Sequence, residues 1–463
     1  MMTAPESPAP LEDQIDQWRR SLQRRQAIHA VDVAELEDHL REQVAGLREA
    51  GLADEEAFLV AVKRMGNLDA LSREFAREHS ERLWKQLVVA PSGAGEPAGR
   101  GRRETIVAFG LAAAAAVAIR APELFGRHWG RDEGFYARNL SLFVLPLLIG
   151  YFAWKRQLAA GPTRLLALGV AALAAVANLY PYPGGGPEQV LGSTQVLTVL
   201  HLPIALWLAV GIAYAGGRWG QAAGRMDFIR FSGELFIYYV LIALGGGVFT
   251  AFMLMIFQAI GIDVQPVFQS WILPCGAAGA VVIASWLVEA KQSVIENMAP
   301  VLTRLFTPLF TAMLIAFLGT LLVTGNAIDI KREVLIAFDL LLVVVLGLLL
   351  YSASARDPLA PPGVFDGLQV ALLVCALLAD AVALWAIAAR IGEFGFTPNR
   401  VAALGENVIL LVNLAWSAVL YVRFLRGQGP FARLERWQTD YLPVYAGWAA
   451  FVVAVFPPLF GFR

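Results

Sequence analysis

Residues 364–390 read VFDGLQVALLVCALLADAVALWAIAAR. Only Asp366, Asp380 and Arg390 carry charge in this run, and Asp366 and Arg390 lie near its ends. A helix needs about 20 mostly apolar residues to cross hydrocarbon about 30 Å thick. The run meets that requirement, so Asp380 is predicted to sit within a membrane. Ten more runs of this kind surround it: 105–121, 139–154, 164–181, 194–215, 234–260, 270–290, 305–325, 334–354, 398–424 and 441–461. The reading is an all-α, polytopic transmembrane bundle of about eleven spans over residues 104–463. The ninth and tenth spans are longer than a bilayer requires and are expected to tilt or protrude.

The chain as a whole is 57% hydrophobic and 16% charged. Soluble domains carry about 25% charged residues. The net charge of −1 averages two unlike regions and identifies no partner. Residues 11–85 are rich in Arg, Glu and Asp and read as short amphipathic helices. Asp32 and Glu35 form a capping pattern at the start of the second helix. Leu36, Leu40, Val44 and Leu47 share one face of it. Gly51 ends that helix, Phe58, Val62 and Met65 line the next, and Asn67 caps a fourth. We therefore divide the chain into a helical domain, 1–89, a flexible linker, 90–103, and the membrane domain, 104–463. Residues 1–30 lack the apolar core of a signal peptide. The first span is thus expected to direct insertion.

Lys and Arg are enriched in cytoplasmic loops. With the N-terminus inside, sixteen of them fall on the inner side and nine on the outer. This predicts an N-terminus in the cytoplasm and, after eleven spans, a C-terminus outside. Four arginines, Arg120, Arg127, Arg131 and Arg138, oppose the trend. Glu123, Asp132 and Glu133 lie among them, which suggests a folded loop or an interfacial helix. Trp154, Tyr182, Trp437 and Tyr441 fit interfacial belts, not nucleic-acid stacking platforms.

Ionisable groups inside hydrocarbon are costly and usually face protein or water. Asp339, Asp380, Glu406 and His201 all fall within spans, in the predicted outer half. Arg390, Glu393, Thr397 and Arg400 flank the adjoining loop. Two readings follow. One is a polar cavity open to the outer face, able to hold a ligand, a proton or a lipid headgroup. The other is structural, with Asp380 or Glu406 paired to Arg390 or Arg400. His201 precedes Pro203, and a proline inside a span frees a carbonyl that a nearby donor can satisfy. Gly245, Gly246 and Gly247 lie mid-span, which suits close helix packing or a broken helix at a transport site. Pro274 and Pro308 are kink candidates. Cys275 and Cys375 sit in apolar runs without metal spacing. No nucleotide-binding, zinc-protease or hydrolase motif is present, so neither catalytic residues nor a cofactor are expected.

The stretch Asp32-Val-Ala-Glu35-Leu-Glu-Asp-His39-Leu, then Gly51-Leu-Ala-Asp-Glu-Glu-Ala57, then Arg64-Met-Gly66-Asn67-Leu resembles the HAAS-type helical signalling, or permease-prefix, domain of bacteria. The resemblance covers residues 11–85. It implies a cytoplasmic regulatory module in a bacterial plasma-membrane protein, with a PadR-type regulator or an export permease as the associated protein. Asn67 stands where an acidic residue is common. Pro300-Val-Leu-Thr-Arg-Leu-Phe306-Thr-Pro308-Leu309 and Arg390-Ile-Gly-Glu393-Phe-Gly395-Phe-Thr397-Pro-Asn-Arg400 resemble a bacterial polytopic family of unknown function, mainly over residues 225–460. That family implies no activity. Physically the second segment is a compact polar loop with Gly395 as its bend and Glu393 between two arginines as an ion-pair lock.

The expectation is a membrane regulatory or sensory protein, associated with the bilayer, with a cytoplasmic protein and with further copies of itself. The alternatives are a secondary transporter or channel with its site among spans five and eight to ten, and a lipid- or envelope-handling enzyme.

Overall fold

The computed structural model describes residues 11–12, 15–16, 18–19, 30–49, 52–64, 98–182, 191–259, 261–290, 298–324, 332–357 and 360–462. Two compact units are present, Met1–Gly101 and Arg102–Arg463.

In the first unit, α1 (Ala30–Glu49) and α2 (Asp54–Arg64) pack together. Leu40, Val44 and Leu47 recur at helical spacing and are buried against Ile15, Trp18, Ala57 and Ala61. The apolar face of α2 is therefore Ala57 and Ala61, while Phe58 and Val62 are half-buried. Small alanines let the two helices approach, and the bulkier residues close the edges. Asp32 lies inside α1 rather than capping it, because helix is already present at Ala30. Arg41 reaches Glu12 at 2.8 Å and Glu37 at 3.0 Å. Its guanidinium holds the Glu12 carboxyl below the usual carboxylate range. Asn67 and the predicted fourth helix lie outside the described residues.

All regular secondary structure among the second unit's described residues is helical. Its helices are α3 (Ala98–Arg120), α4 (Glu133–Lys155), α5 (Ala160–Leu179), α6 (Ser193–Ala215), α7 (Ala222–Ala259) and α8 (Gln265–Ala290). They continue as α9 (Met298–Thr324), α10 (Arg332–Ala355), α11 (Val364–Phe394), α12 (Pro398–Leu425), α13 (Ala432–Asp440) and α14 (Leu442–Leu459). Among the described residues, ten helical segments are long and apolar enough to cross a membrane. The predicted eighth span is α10, whose described apolar stretch, Asp339–Ala355, is shorter. The chain is thus an all-α, multi-pass membrane protein. Helix α3 starts at Ala98, so the last residues of the predicted linker are helical.

Two groups of helices share the unit. In the first, Leu148 and Phe152 of α4, Leu202 and Leu206 of α6, Phe231 of α7 and Val282 of α8 form one core. In the second, Leu314 of α9, Val345 of α10, Leu372 and Ala376 of α11 and Leu414 of α12 form another. Leu197 of α6, Ala402 of α12, and Val452 and Phe456 of α14 join them. We name the two ends of the bundle by residues they carry. At the Lys155 face, Lys155 contacts Glu104 at 3.1 Å and the buried Glu289 at 3.3 Å, while Arg156 bonds Glu289 at 2.9 Å. At the opposite, Ser193 face, Asn399 donates to Ser193 Oγ at 3.2 Å.

The arginine-rich segment after α3 is a folded loop containing a 3-10 turn, Ala121–Phe125. Arg120 pairs with Glu123 at 2.6 Å and Arg127 with Asp132 at 3.0 Å. Asp132 also accepts the backbone N–H of His128 at 2.8 Å. That bond and the Arg127 charge hold Asp132 below the usual carboxylate range. A lowered folded value means the contribution is present above the unfolded value and is lost as pH falls through the folded one. The protection of the His128 amide relative to its intrinsic exchange rate is therefore expected to fall on acidification, and in Asp132→Asn to stay nearly constant in that window.

Two expectations for the spans are corrected. Helix α7 runs unbroken through Gly245, Gly246 and Gly247. Beyond the helix's own backbone, no heavy atom of the described residues lies within 4 Å of a Cβ placed at any of them. Among the described residues they neither pack a neighbour closely nor break a helix. The same helix begins at Ala222, so it is the longest of all, and Glu234 lies within it and is buried. With the buried Glu289 this places acids toward the Lys155 face as well. The polar groups are not confined to one leaflet. Pro274 follows a single π-helical turn, Phe268–Ile272, whereas Pro203 and Pro308 lie inside helices that continue past them.

Candidate functional site

Helices α6 and α12 both start at the Ser193 face and run in the same direction. His201 lies eight residues past Ser193, and Glu406 eight past Pro398. At about 1.5 Å per residue both side chains are about 12 Å along their helices. They meet there, with His201 Nε2 and Glu406 Oε1 2.7 Å apart. His201 Nδ1 is 2.8 Å from the carbonyl oxygen of Leu197. A carbonyl only accepts, so Nδ1 must carry a proton. The contact at Nε2 then needs one further proton between nitrogen and oxygen. It is held as imidazolium and carboxylate, or as neutral imidazole and carboxylic acid. In both forms the pair is neutral overall and contains one exchangeable proton. The carbonyl met by His201 is that of Leu197, not the Val199 carbonyl released by Pro203.

Glycine at position 405 allows this contact. A Cβ there would collide with the ring of Trp448 on α14. Gly405→Ala is expected to cost about 1–3 kcal/mol through overpacking and to weaken the His201–Glu406 bond by displacing α12. Thermal unfolding, together with the imidazole NMR shift of His201, checks both effects.

One residue further along α12, Asn407 is fully buried. Its Nδ2 donates to Asp339 Oδ1 of α10 at 2.8 Å and to the Ala403 carbonyl at 2.8 Å. Asp380 lies deeper, fourteen residues from the Phe394 end of α11, or about 21 Å. It is 0% exposed. Neither of its oxygens has a hydrogen-bond partner among the described residues. Transfer of a polar group without a partner costs several kcal/mol, and transfer of an unpaired charge costs far more. The arrangement therefore suits neutral, protonated forms better than a row of anions.

The predicted pairing of Asp380 or Glu406 with Arg390 or Arg400 is not made. Asp380 has no hydrogen-bond partner among the described residues, and Glu406 meets His201. Arg400 instead donates from Nη1 to the carbonyls of Phe394 at 3.1 Å and Gly395 at 2.9 Å. The loop is locked through its backbone, while Glu393 is exposed. Gly395 is its bend, with φ +76°. That left-handed conformation favours glycine. Thr397 precedes α12 in an extended conformation without a side-chain cap, and Pro398 occupies the first turn.

Sequence reading missed the amides. Asn413 of α12 bonds Tyr445 at 2.7 Å and accepts from Gln438 at 2.9 Å, which ties α12 to α13 and α14. Gln369 of α11 donates to Thr307 of α9 at 3.3 Å. The signal was available, since Asn407, Asn413 and Ser417 interrupt the apolar run at near-helical spacing. Their neutrality hid them from a search for charge.

The described residues contain no cluster of three or more His, Cys, Asp or Glu able to hold a metal ion. The carboxyl groups are stepped along the bundle rather than gathered around one point. A proton fits this arrangement, whereas a coordinated cation requires several converging oxygens. No protein-family model, curated protein or solved structure matches the chain.

Proposed function

We propose that this multi-pass membrane protein is a regulator that responds to the proton held between His201 and Glu406. One observation carries the proposal: the pair joins α6 of the first helix group to α12 of the second. Loss of its proton leaves a neutral imidazole nitrogen facing a carboxylate. Two acceptors then oppose each other, and the tie between the groups is released. Proton content thus becomes a difference in helix packing, as a two-state switch requires.

The output belongs to the N-terminal helical unit. Its resemblance to a bacterial signalling prefix supports a cytoplasmic protein partner of the PadR-regulator type. The Lys and Arg bias supports a plasma-membrane orientation with this unit inside. Contact between copies of the chain is compatible with this assignment.

The test is a double-mutant cycle with His201→Gln and Glu406→Gln, read by unfolding in detergent. The coupling is expected near the lower end of about 1.5–3 kcal/mol, the range for hydrogen bonds to charged groups, because Glu406 is one-third exposed. It should vanish as alkali removes the shared proton. An additive cycle at every pH would refute the switch.

A second reading, a proton-coupled secondary transporter, is favoured by Asp380, whose buried carboxyl is free of any ion pair among the described residues.

A further inference from the structure

The four arginines that run against the Lys and Arg bias are not alike. Arg120 pairs with Glu123 and Arg127 with Asp132. Arg131 is exposed to solvent. Arg138, five residues past the start of α4, is half-buried. Its Nε is shielded from solvent and has no hydrogen-bond partner among the described residues. The acids nearest in sequence do not serve it, since Asp132 holds Arg127 and Glu133 is exposed. The guanidinium rests instead on Tyr182, 5.0 Å from the ring centre. Thr198 Oγ1 donates to the Thr194 carbonyl at 2.9 Å, so the 2.8 Å contact between the Tyr182 and Thr198 hydroxyls is donated by Tyr182. That bond fixes the ring under the guanidinium. A cation withdrawn from water without a counter-charge is costly.

The space beside Arg138 is left by a glycine. A Cβ at Gly134 would stand 2.8 Å from Gln195 Nε2 and 3.9 Å from Arg138 Nη1. Donors from α6 and α4 thus face the same point. Gln195 is 2% exposed and gives one amide hydrogen to the Gly134 carbonyl at 3.3 Å. Its amide carries a second hydrogen, which has no acceptor among the described residues. Beside it, Thr194 is 0% exposed and its hydroxyl has no partner among the described residues. No side chain caps α6 at Gly192, so its first N–H groups add positive potential.

We infer that Arg138 and Gln195 form a binding site for a phosphate group at the Ser193 face. The fork of one guanidinium can give a phosphate two N–H bonds, and the Gln195 amide supplies a third. The phosphate belongs to a phospholipid headgroup or is free in solution. Val196, Leu200 and Ile204 form an exposed stripe that begins one residue past Gln195, a surface on which acyl chains can lie. The assignment is independent of the proton-responsive reading.

The test uses the full-length protein in dodecyl maltoside, free of phospholipid. It is titrated with phosphatidylglycerol, with diacylglycerol of the same chains, and with sodium phosphate against sodium chloride at equal ionic strength. The thermal unfolding midpoint is expected to rise with a phosphate source and not with diacylglycerol or chloride. A response to phosphatidylglycerol alone assigns the headgroup, and a response to sodium phosphate alone assigns free phosphate. Arg138→Gln is expected to weaken binding about tenfold or more. Gly134→Ala keeps every charge and fills the space between the two donors, so it should weaken binding even if Arg138→Gln fails to fold. No response to either phosphate source, or the same response in wild type and both variants, would overturn the site. Glu188, in the segment 183–190 outside the described residues, is the internal alternative. Coupling between Arg138→Gln and Glu188→Gln in the phospholipid-free protein would likewise overturn the proposal.

Discussion

Asp380→Asn is expected to leave the protein folded, with stability changed by no more than about 1 kcal/mol. The outcome depends on which form of Asp380 is native. A neutral carboxylic acid and a carboxamide have nearly the same size, and neither finds a partner here among the described residues. Exchanging one for the other is close to neutral. An ionised Asp380 would behave differently. Its removal would relieve an uncompensated buried charge, and the variant would gain several kcal/mol. Unfolding of wild type and variant across pH separates the two cases. A strut role predicts a third outcome, in which the variant misfolds.

The largest effect on stability is expected at Arg356. Its Nε and Nη2 bond the Asp366 carboxylate at 2.9 and 3.1 Å, and its other contacts reach the carbonyls of Asp357, Ala360 and Pro361. The guanidinium also lies 4.6 Å from the ring centre of Phe424 and 4.5 Å from that of Phe431. Asp366 in turn accepts the backbone N–H of Gly363 at 2.8 Å, fixing the start of α11. Arg356→Met leaves that carboxylate buried and without its cation, at a cost of about 3–5 kcal/mol. Arg356→Lys keeps the charge but loses the two-point bond and the planar contact with both rings, so it should recover only part of the loss. Adding Asp366→Asn to Arg356→Met should restore stability by removing the stranded charge. Denaturation midpoints of the four proteins test this sequence.

The membrane fold was legible because hydropathy reports on one segment at a time. The depths of His201 and Glu406 followed from the same reasoning, since distance along a helix is set by residue count. Their contact was not legible. They are 205 residues apart in sequence, and helices apolar on every side give no indication of which face meets which neighbour. For that reason arginine looked like the natural partner of Glu406, although the loop arginine is occupied by backbone carbonyls. Gly245, Gly246 and Gly247 misled for a related reason. Small residues permit close packing but do not require it. In the N-terminal unit the large apolar residues of α2 drew attention, while the smaller Ala57 and Ala61 make the buried contact.

In the proposed switch, the proton shared by His201 and Glu406 controls how α6 and α12 are held together. Spin labels at the exposed positions Leu200 and Val408, with Cys275 and Cys375 replaced by serine, measure that separation by pulsed electron resonance. The distance should be short and narrowly distributed while the pair holds its proton. It should lengthen or broaden when alkali removes it, and the transition should be absent in Glu406→Gln. A wild-type distance that stays unchanged across the pH range, or changes identically in Glu406→Gln, would contradict the account.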